Sequence, residues 1–449
     1  MLKIYSLLRR SLKKSFDNIR NEQLKLNLLQ AIPFWIGSVI TGFVAVMYAK
    51  LFAWGENLLH FILNWHAWMI FIIAPIGFVL SWWLVKEFAP NAKGSGIPQV
   101  MAAVELANPK EHRKIRSLLS LKIIVFKIIS SVILVIGGGA VGREGPTIQI
   151  AGSVFRKVNE YLPEWWPKIS KKNMIMTGAA AGLAAAFNTP LGGIVFAVEE
   201  LSKTHINYFK TALFTAVIIA GLTAQTLAGS YLYLGYPKTN DVSLMVMFPI
   251  ILVAGIAGIM ASQLSVTMLK MNDWKKRTLK TDKANVLFLV VSALIIASIA
   301  YFINQEILGS GKEIMERVLF TKDKHEDWYV PILRMLGPAL SFTSGGAGGI
   351  FAPALTAGAS IGSVISGFIN LSSNETNVVI LAGMVAFLTG ITRAPFTSAI
   401  IVLEMTDRHS LIFHLMLGGM VSSIASLMVS RHSLYDVIKV NFLSEIRKD

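Results

Sequence analysis

Long apolar runs dominate the chain and are separated by shorter polar segments. The clearest runs cover residues 31–53, 66–86, 120–137, 211–228, 245–269, 285–304 and 409–429. Each is close to the ~20 residues that an α-helix needs to cross ~30 Å of hydrocarbon. The pattern therefore predicts an all-α polytopic membrane protein.

A second set of apolar stretches is too short for a crossing or is broken by glycine and proline. These stretches cover 95–106, 137–155, 178–200, 337–369 and 379–405. Such breaks are tolerated only where the backbone is buried in protein or lines a polar cavity. Glycine clusters at 137–145 and 345–349 place breaks in both halves, which is typical of an inverted-repeat transporter. We expect a membrane domain at 29–445, with repeats at about 31–228 and about 245–445.

Residues 1–28 are basic, and their apolar residues recur at roughly helical spacing. This segment is either an amphipathic helix on the cytoplasmic membrane surface or a solvated terminal helix. The first strong apolar run begins near Leu29, too late for the core of a cleavable signal peptide, so we expect none. The chain ends soon after the last long run, and we expect no C-terminal regulatory domain.

The composition agrees with a membrane protein and excludes several other classes. Hydrophobic residues make up 54% of the chain and charged residues 15%, whereas soluble domains are usually about one quarter charged. The net charge of +16 would suit nucleic acid, but the basic residues lie between apolar runs, as in cytoplasmic loops beside anionic lipid. We therefore expect the lipid bilayer as a partner and no nucleic acid. The chain has no cysteine, which excludes disulfides and thiolate chemistry.

Motifs of soluble enzymes fail on inspection. Gly309-Ser310-Gly311-Lys312 lacks the spacing of a P-loop, so we expect no bound nucleotide. His325-Glu326 has no second histidine four residues on, so we expect no metal site of the zincin type. No hydrolase triad is apparent, and the chain is not expected to be an enzyme or to hold a cofactor.

Two motifs resemble helix starts that could hold an anion. Gly94-Ser95-Gly96-Ile97-Pro98 places a hydroxyl and a proline at a helix start, where free N–H groups and the positive dipole end favour an anion. Gly348-Gly349-Ile350-Phe351-Ala352-Pro353 offers backbone N–H groups beside glycines that permit a close approach. The alternatives are an ordinary turn for the first motif and tight helix packing for the second.

Charged and phenolic residues supply further candidates. Gly142-Arg143-Glu144-Gly145-Pro146 places two charges in an apolar stretch, which marks either an ion or proton path or a structural Arg–Glu pair. Glu199-Glu200 ends another stretch, either as a helix end in water or as a structural acceptor beside a proton carrier. Tyr435 could donate to an anion or anchor the chain at the membrane interface. For Lys127, Arg334, Arg393 and Glu404 we favour structural or field-setting roles.

Taken together and in this order, GSGIP at 94–98, GREGP at 142–146 and GGIFAP at 348–353 resemble the helix-start signatures of the CLC chloride channel and transporter family. The resemblance covers about residues 30 to 440. It implies two inverted repeats of broken, tilted helices around a central anion site. It also implies a multi-pass homodimer with one pore per subunit, in a bacterial inner membrane.

The resemblance also assigns expected roles to single residues. Chloride would be held by Ser95, Tyr435 and the N–H groups of Ile350 and Phe351. Glu144 matches the external gating glutamate, which blocks the pore when charged and carries a proton when neutral, and Glu200 matches the internal proton glutamate. The supporting positions are Gly94, Gly96, Pro98, Lys127, Arg143, Gly145, Glu199 and Gly349.

Within the family, a carboxylate at Glu200 favours chloride/proton exchange. The alternatives are a passive chloride channel of the same fold and a fluoride/proton exchanger, whose branch has different motifs. Ser95 favours chloride, because a proline there is associated with nitrate. Two departures from the family pattern are Gln99, where an acid is usual, and Ala347, where a proline is frequent; both could alter pore geometry or gating.

Overall fold

The computed structural model describes residues 16–17, 20–202, 210–229, 232–240 and 243–448, and this part of the chain is almost entirely helical. The helices of the first half are α1 (Glu22–Trp65), α2 (Ile70–Phe88), α3 (Ile97–Glu105), α4 (Ile115–Leu118), α5 (Leu121–Ile136), α6 (Glu144–Glu160), α7 (Lys171–Phe187), α8 (Pro190–Phe196) and α9 (Lys210–Ala228). Those of the second half are α10 (Met247–Thr278), α11 (Asp282–Phe302), α12 (Lys312–Phe320), α13 (Val330–Thr343), α14 (Phe351–Ile369), α15 (Ser373–Thr392), α16 (Pro395–Thr406), α17 (Ile412–Leu427) and α18 (Leu434–Lys448). The predicted all-α fold is confirmed.

Each of the seven predicted apolar runs coincides with a long helix. In the described part of the chain, nine helices are long and apolar enough to cross a membrane. Many of them expose large apolar side chains, such as Phe248 at 70% and Phe413 at 78%. Such surface is stable only against lipid or another apolar partner, so the chain is a multi-pass membrane protein.

The first helix is longer than its apolar run. Helix α1 starts at Glu22, where the Asn21 side chain accepts a hydrogen bond of 3.0 Å from the N–H of Leu24. Residues 22–28, which were assigned to the basic terminal segment, are therefore the first turns of α1. The rest of that predicted segment lies almost wholly outside the described residues.

Two further long helices were not predicted. Helices α14 and α15 span 19 and 20 residues; α14 lies within the stretch 337–369 that appeared broken, and α15 begins before the stretch 379–405 and ends within it. The breaks are real, but they lie just before these helices and just after α15. Both helices contain glycine, which lowers their mean hydropathy. The glycines are needed because the two helices pack closely: a Cβ on Gly358 would overlap the carbonyl oxygen of Gly383, and a Cβ on Gly383 would overlap that of Gly358.

Helices α8 and α16 are capped reciprocally: a glutamate at or near the end of each accepts hydrogen bonds from the first N–H groups of the other. Glu404, near the end of α16, accepts hydrogen bonds from the N–H groups of Leu191 and Gly192 at 3.0 and 2.7 Å. Glu199, just after α8, accepts from the N–H groups of Phe396 and Thr397 at 3.2 and 2.6 Å. Each carboxylate satisfies N–H groups that a helix start leaves without an intrahelical partner. The equivalence of the two contacts is what a pair of structural repeats produces.

Replacing Glu404 with alanine should destabilise the fold, because two N–H groups at the start of α8 lose a charged acceptor. We expect a loss of about 2 kcal/mol in the free energy of unfolding. Thermal unfolding of the detergent-solubilised protein, followed by tryptophan fluorescence, measures it. Glu87→Ala, at an exposed position on α2, is the control. Equal melting of Glu404→Ala and wild type would show that the reciprocal contact does not contribute to stability.

Candidate anion-binding site

Backbone hydrogen bonds bring the three glycine-rich motifs together. The N–H of Gly94 donates to the carbonyl of Gly346 at 2.8 Å, and the N–H of Gly348 donates to the carbonyl of Gly94 at 3.1 Å. Gly142 and Gly349 exchange both of their hydrogen bonds, at 2.8 and 2.7 Å. These hydrogen bonds join the breaks before α3, α6 and α14 into one core. The three breaks come from both halves of the chain.

Glycine permits this close approach. A Cβ on Gly349 would lie 3.0 Å from the carbonyl oxygen of Gly142, and one on Gly145 would overlap the hydroxyl of Ser95. Gly94 and Gly96 have φ of 65° and 103°, which side chains other than glycine rarely adopt. The first turn of α3 then follows, with Pro98 among its first residues.

Three helix N-termini meet at this core. Helix α3 begins at Ile97, α6 at Glu144 and α14 at Phe351, with Ile350 as the residue just before it. The first N–H groups of a helix have no preceding carbonyl to bind, and the helix dipole is positive there. The convergence creates a positive region inside the membrane domain without a metal ion.

Two unpaired hydroxyls border this region. Ser95 and Tyr435 are 1% and 0% exposed and lie next to each other. Within the described part of the chain, neither hydroxyl has a hydrogen-bond partner of ordinary geometry, although the two lie close enough to interact weakly with each other. The Tyr435 ring lies 6.2 Å from that of Phe351, at the start of α14. A buried hydroxyl without an acceptor is costly, so an anion between Ser95 and Tyr435 would satisfy both groups.

Glu144 is a buried carboxylate at the same place. It is 1% exposed, and its Oε2 lies over Gly142, where a Cβ would overlap it. Its Oε1 accepts a hydrogen bond of 3.3 Å from the Tyr233 hydroxyl and lies 4.0 Å from the Nε of Arg143. Glu144 therefore shares the positive region with the two hydroxyls, while its Arg143 contact stands at the outer limit of an ion pair.

Buried cations elsewhere in the domain donate to backbone carbonyls. Lys127 is fully buried, and its Nζ binds the carbonyls of Ala92 and Gly94 at 2.8 and 2.7 Å. Arg334 likewise donates to the carbonyl of Leu308 at 2.9 Å. Among the residues that the structure describes, Lys127 has no carboxylate within ion-pair distance. It fixes the loop that leads to Ser95.

Gln99 and Ala347, the two departures from the family pattern, each form hydrogen bonds next to the anion region. Gln99 uses its amide Nε2 to bind the carbonyls of Asn91 and Lys93 at 3.1 and 2.7 Å. The N–H of Ala347 donates to the Ser130 hydroxyl at 3.0 Å. A proline at 347 would have no such donor. Both residues therefore hold the segments that flank the anion region.

Glu199 and Glu200 lie in a π-helical turn, Ala197–Leu201, and have different surroundings. Whereas Glu199 binds the start of α16, Glu200 lines a narrow cavity that it shares with Phe351 and Tyr435. Glu200 also lines a second cavity with Lys172 and Lys439. It therefore stands between the anion region and a surface with basic side chains. Such turns are frequent at functional sites.

A lysine-lined cavity also reaches the anion region. Lys93, Lys275 and Lys276 line it, and Ser95 forms part of its wall. Lys275 and Lys276 lie in the last turn of α10, and the basic residues between the apolar runs gave no sign that this surface extends to the site.

Tyr233 is the functional candidate that sequence analysis missed. It is 3% exposed and lies between α9 and α10, in a loop without a recognisable motif. Its ring packs edge-on against Phe187 at 5.1 Å, and Phe187 stacks at 6.3 Å on Phe351, which is next to Tyr435. The single available signal was three tyrosines in one short loop.

Comparisons with known proteins agree with this geometry. Residues 76–427 match the family model described as voltage gated chloride channel. The H(+)/Cl(-) exchange transporter ClcA of Citrobacter koseri is 27% identical over 422 residues, which is 90% of this chain and 87% of the relative. ClcA of Salmonella schwarzengrund is 27% identical over 445 residues, covering 96% and 92%.

Solved structures show the same architecture. A slow cyanobacterial Cl-/H+ antiporter superposes with a TM-score of 0.79 at 25% identity, covering 93% of this chain and 98% of the other. A CLC-type fluoride/proton antiporter superposes with a TM-score of 0.76 at 19% identity, covering 93% and 98%, and shows a common fold. With most of its length matched and its three breaks assembled as described, the chain belongs to the CLC family of chloride channels and transporters.

Proposed function

We propose that the protein is a secondary active transporter that exchanges chloride for protons across a bacterial inner membrane. The observation that carries the proposal is the position of Glu144, a buried carboxylate at the same converging helix starts as two unpaired hydroxyls. Chloride and protons are the transported ions, and no bound cofactor or nucleotide takes part. The working unit is a homodimer with one pore in each subunit.

Chloride binds between the Ser95 and Tyr435 hydroxyls and the N–H groups of Ile350 and Phe351. Support comes from the burial of both hydroxyls and from their lack of any other acceptor in the described chain. Ions enter from the cytoplasm through the cavity lined by Lys93 and Lys275, whose charges raise the local anion concentration.

Glu144 is both gate and proton carrier. When charged, its carboxylate is stabilised by the helix starts and by Arg143, so it competes with chloride for the positive region. A proton removes that attraction and the side chain leaves, which lets chloride take its place. Because the two ions use one position in turn, they move in opposite directions.

Glu200 passes protons between Glu144 and the cytoplasm. Its side chain borders both the Tyr435 cavity and the cavity of Lys172 and Lys439, which suits a residue between pore and solvent. The relatives named as H(+)/Cl(-) exchange transporters support proton-coupled chloride exchange.

The test is an uphill proton flux in liposomes that hold the purified protein. A chloride gradient is applied without a proton gradient, voltage is clamped with potassium and valinomycin, and external pH is recorded. Protons driven uphill by chloride support the exchanger. Chloride flux without any pH change would overturn it and leave a passive channel, and flux dominated by fluoride in competition would indicate a fluoride exchanger.

Glu144→Gln should abolish proton movement and leave chloride flux, because the amide cannot carry a proton and cannot bind the positive region as an anion. The two fluxes are recorded in the same liposomes with pH and chloride electrodes. Continued uphill proton pumping by this variant would remove Glu144 from the proton path.

Glu200→Gln should reduce proton flux to the leak level while chloride flux continues, since the inner proton relay is lost. Glu164→Gln, at an exposed position on a loop with basic residues, is the matched control and should keep both fluxes. Full coupling in Glu200→Gln would assign Glu200 a structural role.

A further inference from the structure

We propose that Tyr233 is a positioning residue that holds the charged Glu144 carboxylate in place and thereby sets the pH at which exchange is half-maximal. The inference rests on the proposed role of Glu144 as gate. Tyr233 belongs to none of the three glycine-rich motifs and comes from the loop before α10.

The contact is direct and buried. The Tyr233 hydroxyl donates to Oε1 of Glu144 at 3.3 Å, and both side chains are almost fully enclosed. In the described part of the chain, the second carboxylate oxygen, Oε2, has no hydrogen-bond partner. A carboxylate accepts such a bond more strongly than a protonated acid does, so the phenol favours the charged, seated gate.

The phenol is held from several sides. Phe187 packs edge-on against its ring at 5.1 Å, and the ammonium of Lys312 lies 5.2 Å from the ring centroid. The backbone of the loop is tied down at the next residue, where the N–H of Leu234 donates to the carbonyl of Met405 at 3.1 Å. A phenol fixed in this way cannot follow the carboxylate when it leaves, so its hydrogen bond distinguishes the seated gate from the open one.

Other charged and titratable groups act on Glu144 from the surrounding elements. Arg143, at the start of α6, favours the carboxylate, whereas Glu56 on α1 favours protonation. Tyr48 on α1 lies within electrostatic range, and so does Tyr435 on α18. From α14, the neighbours around Gly142 are the apolar Ala352 and Pro353.

Glu200 and Lys312 complete the set of nearby charges. Glu200 acts electrostatically on Tyr435, and the Lys312 ammonium on α12 lies over the Tyr233 ring. Tyr233 is distinguished by its direct hydrogen bond to the Glu144 carboxylate.

The direction of the pH shift follows from the hydrogen bond that the Tyr233 hydroxyl donates. Losing the hydroxyl removes a contact that favours charged Glu144, so protonation occurs at higher pH. Since the protonated gate admits chloride, the pH of half-maximal chloride flux should rise. The expected shift is about one pH unit, the size of one hydrogen bond to a charged group.

The experiment measures chloride efflux from liposomes over a range of external pH for wild type and Tyr233→Phe, which removes only the hydroxyl. Tyr236→Phe is the matched control, because Tyr236 lies in the same loop and is 61% exposed. Substitution of 3-fluorotyrosine at position 233 makes a stronger donor and should move the profile to lower pH. This second variant tests the idea even if Tyr233→Phe does not fold.

A double variant separates positioning from a general structural effect. In a Glu144→Gln background, Tyr233→Phe should cause no further change in the pH profile, because the group it acts on is absent. Superimposable profiles of wild type, Tyr233→Phe and the fluorotyrosine variant would overturn the inference. So would an equal shift in the Glu144→Gln background. Failure of the proposed function differs from both, since wild type itself would then show no proton coupling.

Discussion

The structure depends on how hydrogen-bond acceptors are provided for the N–H groups of helices that begin inside the membrane. Each such start has N–H groups without a partner, and no bulk water is present to bind them. Two of these starts, α8 and α16, are closed by Glu404 and Glu199 from the opposite half of the chain. Three others, those of α3, α6 and α14, meet around Ser95, Glu144 and Tyr435. Fixed carboxylates therefore satisfy the N–H groups of α8 and α16, whereas in the proposed site an exchangeable anion would satisfy those of α3, α6 and α14.

The glycines and Lys127 allow the starts of α3, α6 and α14 to come together without a capping carboxylate. Backbone hydrogen bonds between the three breaks require approaches that a Cβ would block, as at Gly145 and Gly349. Lys127 and Gln99 then donate hydrogen bonds to the carbonyls of the loop before α3 and fix their direction. Selectivity for an anion over a cation in the proposed site follows from this backbone arrangement more than from any single side chain.

Hydropathy predicts the lipid-facing helices because contact with lipid demands continuous apolar runs. It underestimates α14 and α15 because helices buried in protein can be rich in glycine. The three motifs indicated the anion region, since each combines residues that favour a helix start.

The reciprocal contacts of α8 and α16 had a sequence signal: a proline followed nine residues later by a glutamate, as Pro190 and Glu199 and again as Pro395 and Glu404. Tyr233 had no comparable signal, because its loop carries no motif that indicates a helix start or a binding site; its partner Glu144 lies 89 positions away.

The crossed contacts between α8 and α16 also limit how the molecule can move. Many transporters with internal repeats alternate access by rocking one repeat against the other. Here such a motion would have to break five hydrogen bonds to Glu199 and Glu404 and the two backbone hydrogen bonds between Gly142 and Gly349. Hydrogen bonds therefore hold the two halves together at two separate places. In the proposed exchange, ions would pass through a frame that does not rock, and side chains that swing within it would provide the alternation.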